Sequence, residues 1–316
     1  MKDNKINPLP VNQYQEVWES RASIRTRPRK FIDFKEKGVF FPENKQPLLF
    51  NQDVIDLGPE VKETILLQSF YKYLNDIVTL EIDLIVNTCN KILNSDLPIE
   101  YSKELKLNAR TIIIDEYYHV YIAHDMMLQL KHQFPDLKDF NYSISDSINA
   151  VNQVKSKLDK KYHDVFEIIA VCIFETTLVK ELVEFFYTDN IHPSIKHYIN
   201  DHMNDEAKHY GFFYNLLCYT WENIPIDYQE NIGQYFSEFI INYLNINSEK
   251  EFNLSLLISI LKEENKAKEI ISNLYTGFII TPEVPIVKNV LNVLRKSKLL
   301  ESLSVVSSFK NIGWDL

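Results

Sequence analysis

The segment Asp201–Tyr210, read DHMNDEAKHY, places His202, Glu206 and His209 at offsets of four and three. At about 100° per residue these side chains fall on one face of a helix, stacked turn over turn. The same face reads Ile195, Tyr198 and Ile199 before the polar residues and Phe213, Leu216 and Leu217 after them. Two imidazoles and a carboxylate therefore interrupt an apolar, core-facing stripe. Burying a neutral polar group without a partner costs roughly 2–7 kcal/mol, and burying a charge costs more. A fold that accepts this stripe must supply partners in its core, either neighbouring side chains or a metal ion.

Three earlier segments repeat the pattern. From about Glu60 to Leu93, Phe70, Leu74, Ile77, Leu84, Ile85 and Ile92 line one helical face, with Glu81 in its middle. The stretch NSDLP (94–98) breaks the chain, its proline placed to open the next helix. From about Glu100 to His132 the inward face is Ile112, Glu116, His119, Ala123, Met126 and Leu130. After QFPDL, the polar stretch Lys138 to Lys157 is expected to be a loop with short helical pieces. A third long helix is predicted from about Lys160 to Tyr187. Its core face is Ile168, Val171, Cys172, Leu178, Val179, Leu182 and Phe186, with Glu175 among them, while Glu181 and Glu184 point into solvent. The turn DNIHP then leads into the fourth helix, from about Ser194 to Trp221. The last third reads as further helices, at Ile232–Leu244, Phe252–Ile271 and Val284–Leu303. It contains no histidine, and covering the bundle and shaping a pocket is its expected role.

These segments predict an all-α protein. With 6 glycines in 316 residues, the tight turns of a Rossmann-type or all-β architecture have no supply. We expect an N-terminal arm over residues 1–58 packing on a four-helix bundle over 59–222, and a helical cover over 223–316 in the same domain. The formal charge of −10 argues against nucleic-acid binding, which needs a basic surface. Within the arm, Arg21, Arg25, Arg27, Arg29 and Lys30 form a basic patch, suited to an acidic body or to an anion. Cys89, Cys172 and Cys218 are odd in number and set among apolar residues, as reduced core cysteines are. The opening MKDNKINPLPVNQ lacks the apolar run of a signal peptide, and no run approaches the ~18 residues of a membrane span. A cytoplasmic protein is expected.

Four consecutive helices thus place acid or imidazole on an apolar face: Glu81; Glu116 and His119; Glu175; His202, Glu206 and His209. Two copies of Asp-Glu-x-x-His occur, at Asp115–His119 and Asp205–His209. One copy among 8 histidines is weak evidence; two, separated by a helix with a lone glutamate, are harder to get by accident. The chemistry accounts for the spacing. In a ferritin-like four-helix bundle, one glutamate from each of two helices and Glu-x-x-His from each of the other two enclose a pair of iron or manganese ions. Four glutamate charges balance two divalent cations, and imidazole adds donor strength without charge. Asp115 and Asp205 are then expected to accept the free N–H of a ligand histidine and fix its ring. His124, His132, His163, His192 and His197 have no partner on these faces and read as surface or capping residues.

The order and spacing resemble the family of non-haem di-iron N-oxygenases that includes p-aminobenzoate N-oxygenase. That family adds a third histidine one turn before the second Asp-Glu-x-x-His glutamate, where this chain has His202. The resemblance covers about Leu66 to Leu217 and, more weakly, the approach Phe40-Phe41-Pro42 through Pro47. It implies that Glu81, Glu116, His119, Glu175, His202, Glu206 and His209 are metal ligands. The cofactor it implies is two iron ions, with manganese or a mixed iron–manganese pair as alternatives. It further implies O₂ as co-substrate and oxidation of an amine, as an arylamine to hydroxylamine, nitroso or nitro product. No flavin or nicotinamide motif is visible, so a reductase or ferredoxin partner is expected, with the enzyme a homodimer. Tyr73, two turns before Glu81, is a candidate for the substrate pocket. No arginine lies near it to clamp a carboxylate unless one such as Arg110 reaches in from elsewhere. Alternatives are a di-iron hydroxylase or desaturase acting at carbon and, from another class, a ferritin-like ferroxidase. A metal-free helical scaffold would leave four buried glutamates unpaired, which is costly.

Overall fold

The structure, a computed structural model, describes residues 13–94, 96–186 and 190–316. The side chains of 178–185 are not described, so the expected roles of Leu178, Val179, Leu182, Glu181 and Glu184 lie outside it, as does the N-terminal dodecapeptide. The described residues are all-α, with one isolated bridge between Val39 and Ile191 in place of any sheet.

Helix α1 is Gln13–Arg21. Pro59–Leu80 runs without a break into a π-helical stretch, Glu81–Val86, and on to Asn87–Asn94; together they form α2. The remaining long helices are α3 (Lys103–Gln133), α4 (Asp146–Lys155), α5 (His163–Phe185) and α6 (Pro193–Asn223). Their starts follow local chemistry. Proline occupies the first turn of α2 and α6, where a missing N–H is harmless. The Ser102 hydroxyl caps α3 by accepting from the Leu105 N–H at 3.1 Å.

Neighbouring helices of the core run antiparallel. Gln68 and Tyr71, near the start of α2, bond to Lys138 and Asp139 just past the end of α3. Asn87 at the far end of α2 reaches Glu167 near the start of α5. Tyr101, before α3, meets Thr220 at the end of α6. Two apolar clusters result. Phe70, Leu74, Ile77, Ile122, Met126 and Ile199 belong to one, and Leu84, Cys89, Ile112, Ile168, Cys172 and Phe213 to the other. The acids and imidazoles of the bundle lie between them, where water is scarce and charge interactions are strong.

The C-terminal third comprises α7 (Ile226–Gly233), α8 (Phe236–Tyr243), α9 (Asn247–Leu261), α10 (Glu264–Leu274), α11 (Pro285–Lys296) and α12 (Leu303–Asn311). Its helices are shorter than the periodicity predicts: a left-handed Lys262 (φ 60°) ends α9, dividing the expected Phe252–Ile271 helix. α11 packs against α5. With cover on that side, every side chain from Val165 to Thr177 is buried, rather than the single core face expected. Glu167 is among them, and Lys91 (2.7 Å) and Lys155 (2.5 Å) neutralise it.

Candidate metal centre

α2 supplies Glu81, α3 supplies Glu116 and His119, α5 supplies Glu175, and α6 supplies His202, Glu206 and His209. None is more than 6 % exposed. Donor atoms from these residues form two groups, each gathered within 4.8 Å: Glu81, His119, His202 and Glu206 in one, Glu116, Glu175, Glu206 and His209 in the other. All of the residues with ligand-type side chains singled out on the four apolar faces are thus brought together.

Two carboxylates span the groups. Glu206 Oε1 lies 3.1 Å from His202 Nε2 and 3.5 Å from His119 Nδ1, while its Oε2 lies 3.4 Å from His209 Nδ1. Glu116 does the same in the other sense, with Oε2 3.2 Å from His119 Nδ1 and Oε1 3.1 Å from His209 Nδ1. Glu81 Oε1 belongs to the first group, 3.3 Å from His202 Nε2. The carboxylates carry four negative charges and the imidazoles none when neutral, the balance for two divalent cations. Among the described residues, Glu81 Oε2 and Glu175 Oε2 have no hydrogen-bond partner, and Glu116 Oε1 and His209 Nδ1, although 3.1 Å apart, form no aligned hydrogen bond. Buried polar atoms without partners are rare and call for an explanation. Here they converge where a cation would satisfy them together, so the residues fit a pair of metal ions.

The electrostatics carry the same signature. Burial, reinforced by neighbouring carboxylates, pushes Glu81 and Glu175 well above the usual carboxylate range. Burial also acts to raise Glu206, but His209 and His202 together outweigh it and hold Glu206 well below that range. On His119 burial favours the neutral ring, yet Glu81, Asp205 and Glu116 prevail and raise it; His209 is raised in the same way by Glu206, Glu116 and Asp115. The pocket attracts positive charge strongly enough to hold protons on buried rings.

The motif aspartates cross over. His119 Nε2 meets Asp205 Oδ2 at 3.2 Å, and His209 Nε2 meets Asp115 Oδ2 at 3.3 Å. Each Asp-Glu-x-x-His aspartate holds the histidine of the other helix, which leaves both Nδ1 atoms facing the centre. Two arm groups that the sequence did not single out meet these aspartates from outside. Trp18 Nε1–H donates to Asp115 Oδ2 at 2.8 Å, and the Ser23 N–H donates to Asp205 at 3.2 Å. The only sequence signal was their place beside the basic patch. That patch fastens the arm: Arg27 and Lys30 pair with Asp201, and Arg29 with Asp125.

His202 differs from the other two imidazoles. It faces the centre through Nε2, its Nδ1 has no partner, and its ring stacks on His119 with centroids 4.2 Å apart. Tyr198, buried with its hydroxyl unpartnered, stands edge-on to it at 6.2 Å.

Tyr73 is half-buried against Phe186 and lines a cavity of about 290 Å³ between α2 and α9. Burial and the nearby charges of Glu81 and Glu206 raise its hydroxyl far above the ordinary value. Asp76, Leu80, Glu249, Tyr243 and Phe252 share the wall. Arg110 does not reach in: it is exposed and its guanidinium bonds back to the Lys106 carbonyl, because it sits on the outer face of α3. His124, His132 and His197 are exposed, and His163 bonds to the Leu158 carbonyl. His192 is not at the surface. It is 2 % exposed and stacked on Phe40, because residues 38–41 fold over the start of α6 through the Val39–Ile191 bridge.

No protein-family model matches this sequence, and no curated protein matches it significantly. Among the described residues, no helix is long and apolar enough to cross a membrane.

Proposed function

We propose that this chain is a ferritin-like di-metal carboxylate protein that uses two iron ions and O₂ to oxygenate the nitrogen of an amine. The observation that carries the reading is the double group of buried donors, joined by Glu116 and Glu206 and enriched by a third imidazole, His202. When bound, such a metal pair supplies the O₂ reactivity that side chains lack. Glu81, His119 and His202 would hold one ion, Glu175 and His209 the other, with Glu116 and Glu206 between them.

The remaining chemistry belongs to the chain. Asp115 and Asp205 fix the tautomers of His209 and His119, so that Nδ1 of each ring is free of its proton for a ligand. The apolar clusters at either end keep bulk water from the donors. The cavity beside Tyr73 would bind the substrate, with Phe252 and Tyr243 as apolar walls. Its polar wall is made of Asp76, paired with Lys72, and of Glu249, which accepts from the Tyr275 hydroxyl. A ferroxidase needs no organic cavity of this kind, which favours the oxygenase, and the third imidazole, His202, on which the resemblance to the N-oxygenases turns, favours nitrogen over carbon. Electrons would come from an external reductase or ferredoxin.

The test is metal analysis of protein expressed with iron, followed by an O₂-dependent screen of aromatic and aliphatic amines with product detection by mass spectrometry. Two metals per chain and a product heavier by oxygen support the reading. Two metals with oxidation only at carbon would move the assignment to a hydroxylase, and absence of bound metal would end it.

A further inference from the structure

The arm does more than cover the bundle. Trp18, Ala22 and Ser23 are buried, although α1 is strongly polar and has little apolar surface of its own to dock with. What Trp18 and Ser23 touch are the two aspartates behind the histidines. The two supports are unequal. Asp205 accepts from the Ser23 N–H and from Lys208, and meets His119 Nε2 at 3.2 Å. Among the described residues Asp115 pairs with no lysine: its Oδ2 takes the Trp18 indole N–H and His209, and its Oδ1 is buried without a partner. A buried carboxylate stripped of a neutral donor cannot turn to water, so Trp18 decides how well Asp115 can orient His209. Farther along, Ser23, Arg27 and Lys30 also close a cavity of about 20 Å³ that reaches His119 and His202.

We propose that the arm is a latch on the metal centre, with Trp18 the positioning residue for the His209 end and the Ser23 N–H for the His119 end. Arm docking and metal loading are then one coupled equilibrium: whatever strengthens one strengthens the other by the same factor. This rests on the di-metal reading of the site, and it adds that the site is incomplete without residues 14–30.

The arm carries its own reporter, since Arg21, Arg25 and Arg29 are exposed and open to trypsin once the arm lifts, while Arg27 is protected by Pro28 after it. The probe is Mn²⁺ alone, titrated anaerobically into the full chain. Free Mn²⁺ is followed by its EPR signal, and cleavage at the arm arginines by mass spectrometry. Saturating Mn²⁺ is expected to slow cleavage of the wild-type arm about tenfold or more, by the linkage of binding to docking. Trp18→Phe keeps an aromatic ring, smaller than the indole, and removes the N–H; it should weaken one of two Mn²⁺ sites by about 10-fold, the lower range for groups supporting a ligand, and leave the other unchanged. Ser23→Pro removes the other N–H at a position whose backbone accepts proline, Ala22 before it being extended (ψ 134°). It should weaken the opposite site, whereas Ser23→Ala should not. Unchanged affinities in Trp18→Phe, or wild-type cleavage indifferent to Mn²⁺, would overturn the latch while leaving the metal site standing. Wild-type protein that takes up neither Mn²⁺ nor Fe²⁺ would instead remove the di-metal reading, and the latch with it.

Discussion

The two ends of the candidate centre are made of the same motif and yet are not equivalent. The first end has Glu81, His119 and His202, so two imidazoles; the second has Glu175 and His209, so one. Behind the first, Asp205 is charged and held by Lys208 and a backbone N–H; behind the second, Asp115 depends on an indole. Glu81 also stands at the start of a π-helical stretch, a distortion often found at functional sites, whereas Glu175 sits in a helix buried on every side. The difference suggests a division of labour: an imidazole-rich end beside Tyr198 and Tyr73, and a second end, richer in carboxylate, embedded in the core.

The largest effect should come from the residues the ends share. Glu206→Ala removes the carboxylate that reaches both groups and should take bound metal from two per chain to below one; a variant that still binds two would break the dinuclear picture. His202→Ala is next, and should weaken the first site alone, by about 100-fold, at the upper range for loss of a group that shapes a metal site. Equal weakening of both sites would mean that the ends are not distinct. The pH dependence follows with a definite sign. Glu81, Glu175, His119 and His209 are all raised, so the folded metal-free chain keeps these protons over a pH window that begins at the unfolded values and extends above them. The unfolded chain has released them, with reference values of about 4.3 for Glu and 6.5 for His. Unfolding then releases protons, and stability falls as pH rises through that window. Glu206 and Asp205 are lowered; their contribution is present above about pH 4 and is lost only in acid. Metal displaces the same protons, so the metal-induced rise in Tm should grow from pH 6 to pH 8. A rise that shrinks with pH would contradict these directions.

The comparison also marks what the sequence could carry. Helical period and the polar interruptions in it located Glu81, Glu116, His119, Glu175, His202, Glu206 and His209, because each statement concerns residues three or four apart on one face. The pairing of Asp115 with His209 and of Asp205 with His119 depends on which helix faces which, and no local pattern records that. Trp18 and Ser23 were invisible for the same reason: the groups they touch are 97 and 182 residues away. The π stretch went unnoticed because Ile77, Leu84, Ile85 and Ile92 fit an ordinary helical face. His192, expected at the surface or as a cap, does stand at the N-cap of α6, but it is buried there by residues 38–41, far off in sequence.

The smallest effect expected is also the most local. The Tyr198 hydroxyl is buried without a partner beside His202, and burial with the nearby charges of Tyr73 and Glu81 raises it well above its ordinary value. It cannot act as an anion there, and as a neutral group it costs the fold about 1–3 kcal/mol of desolvation. Tyr198→Phe removes that cost with almost no change in shape, so the metal-free protein should unfold a few degrees higher. If the hydroxyl is only a passenger of the aromatic wall, Mn²⁺ affinity at both ends stays within about threefold, a shift of ~0.6 kcal/mol. If affinity drops at the first end alone while Tm still rises, the hydroxyl serves His202 or its ion. That result would sharpen the contrast between the ends, because the second group of donors contains only one imidazole and has no counterpart of His202.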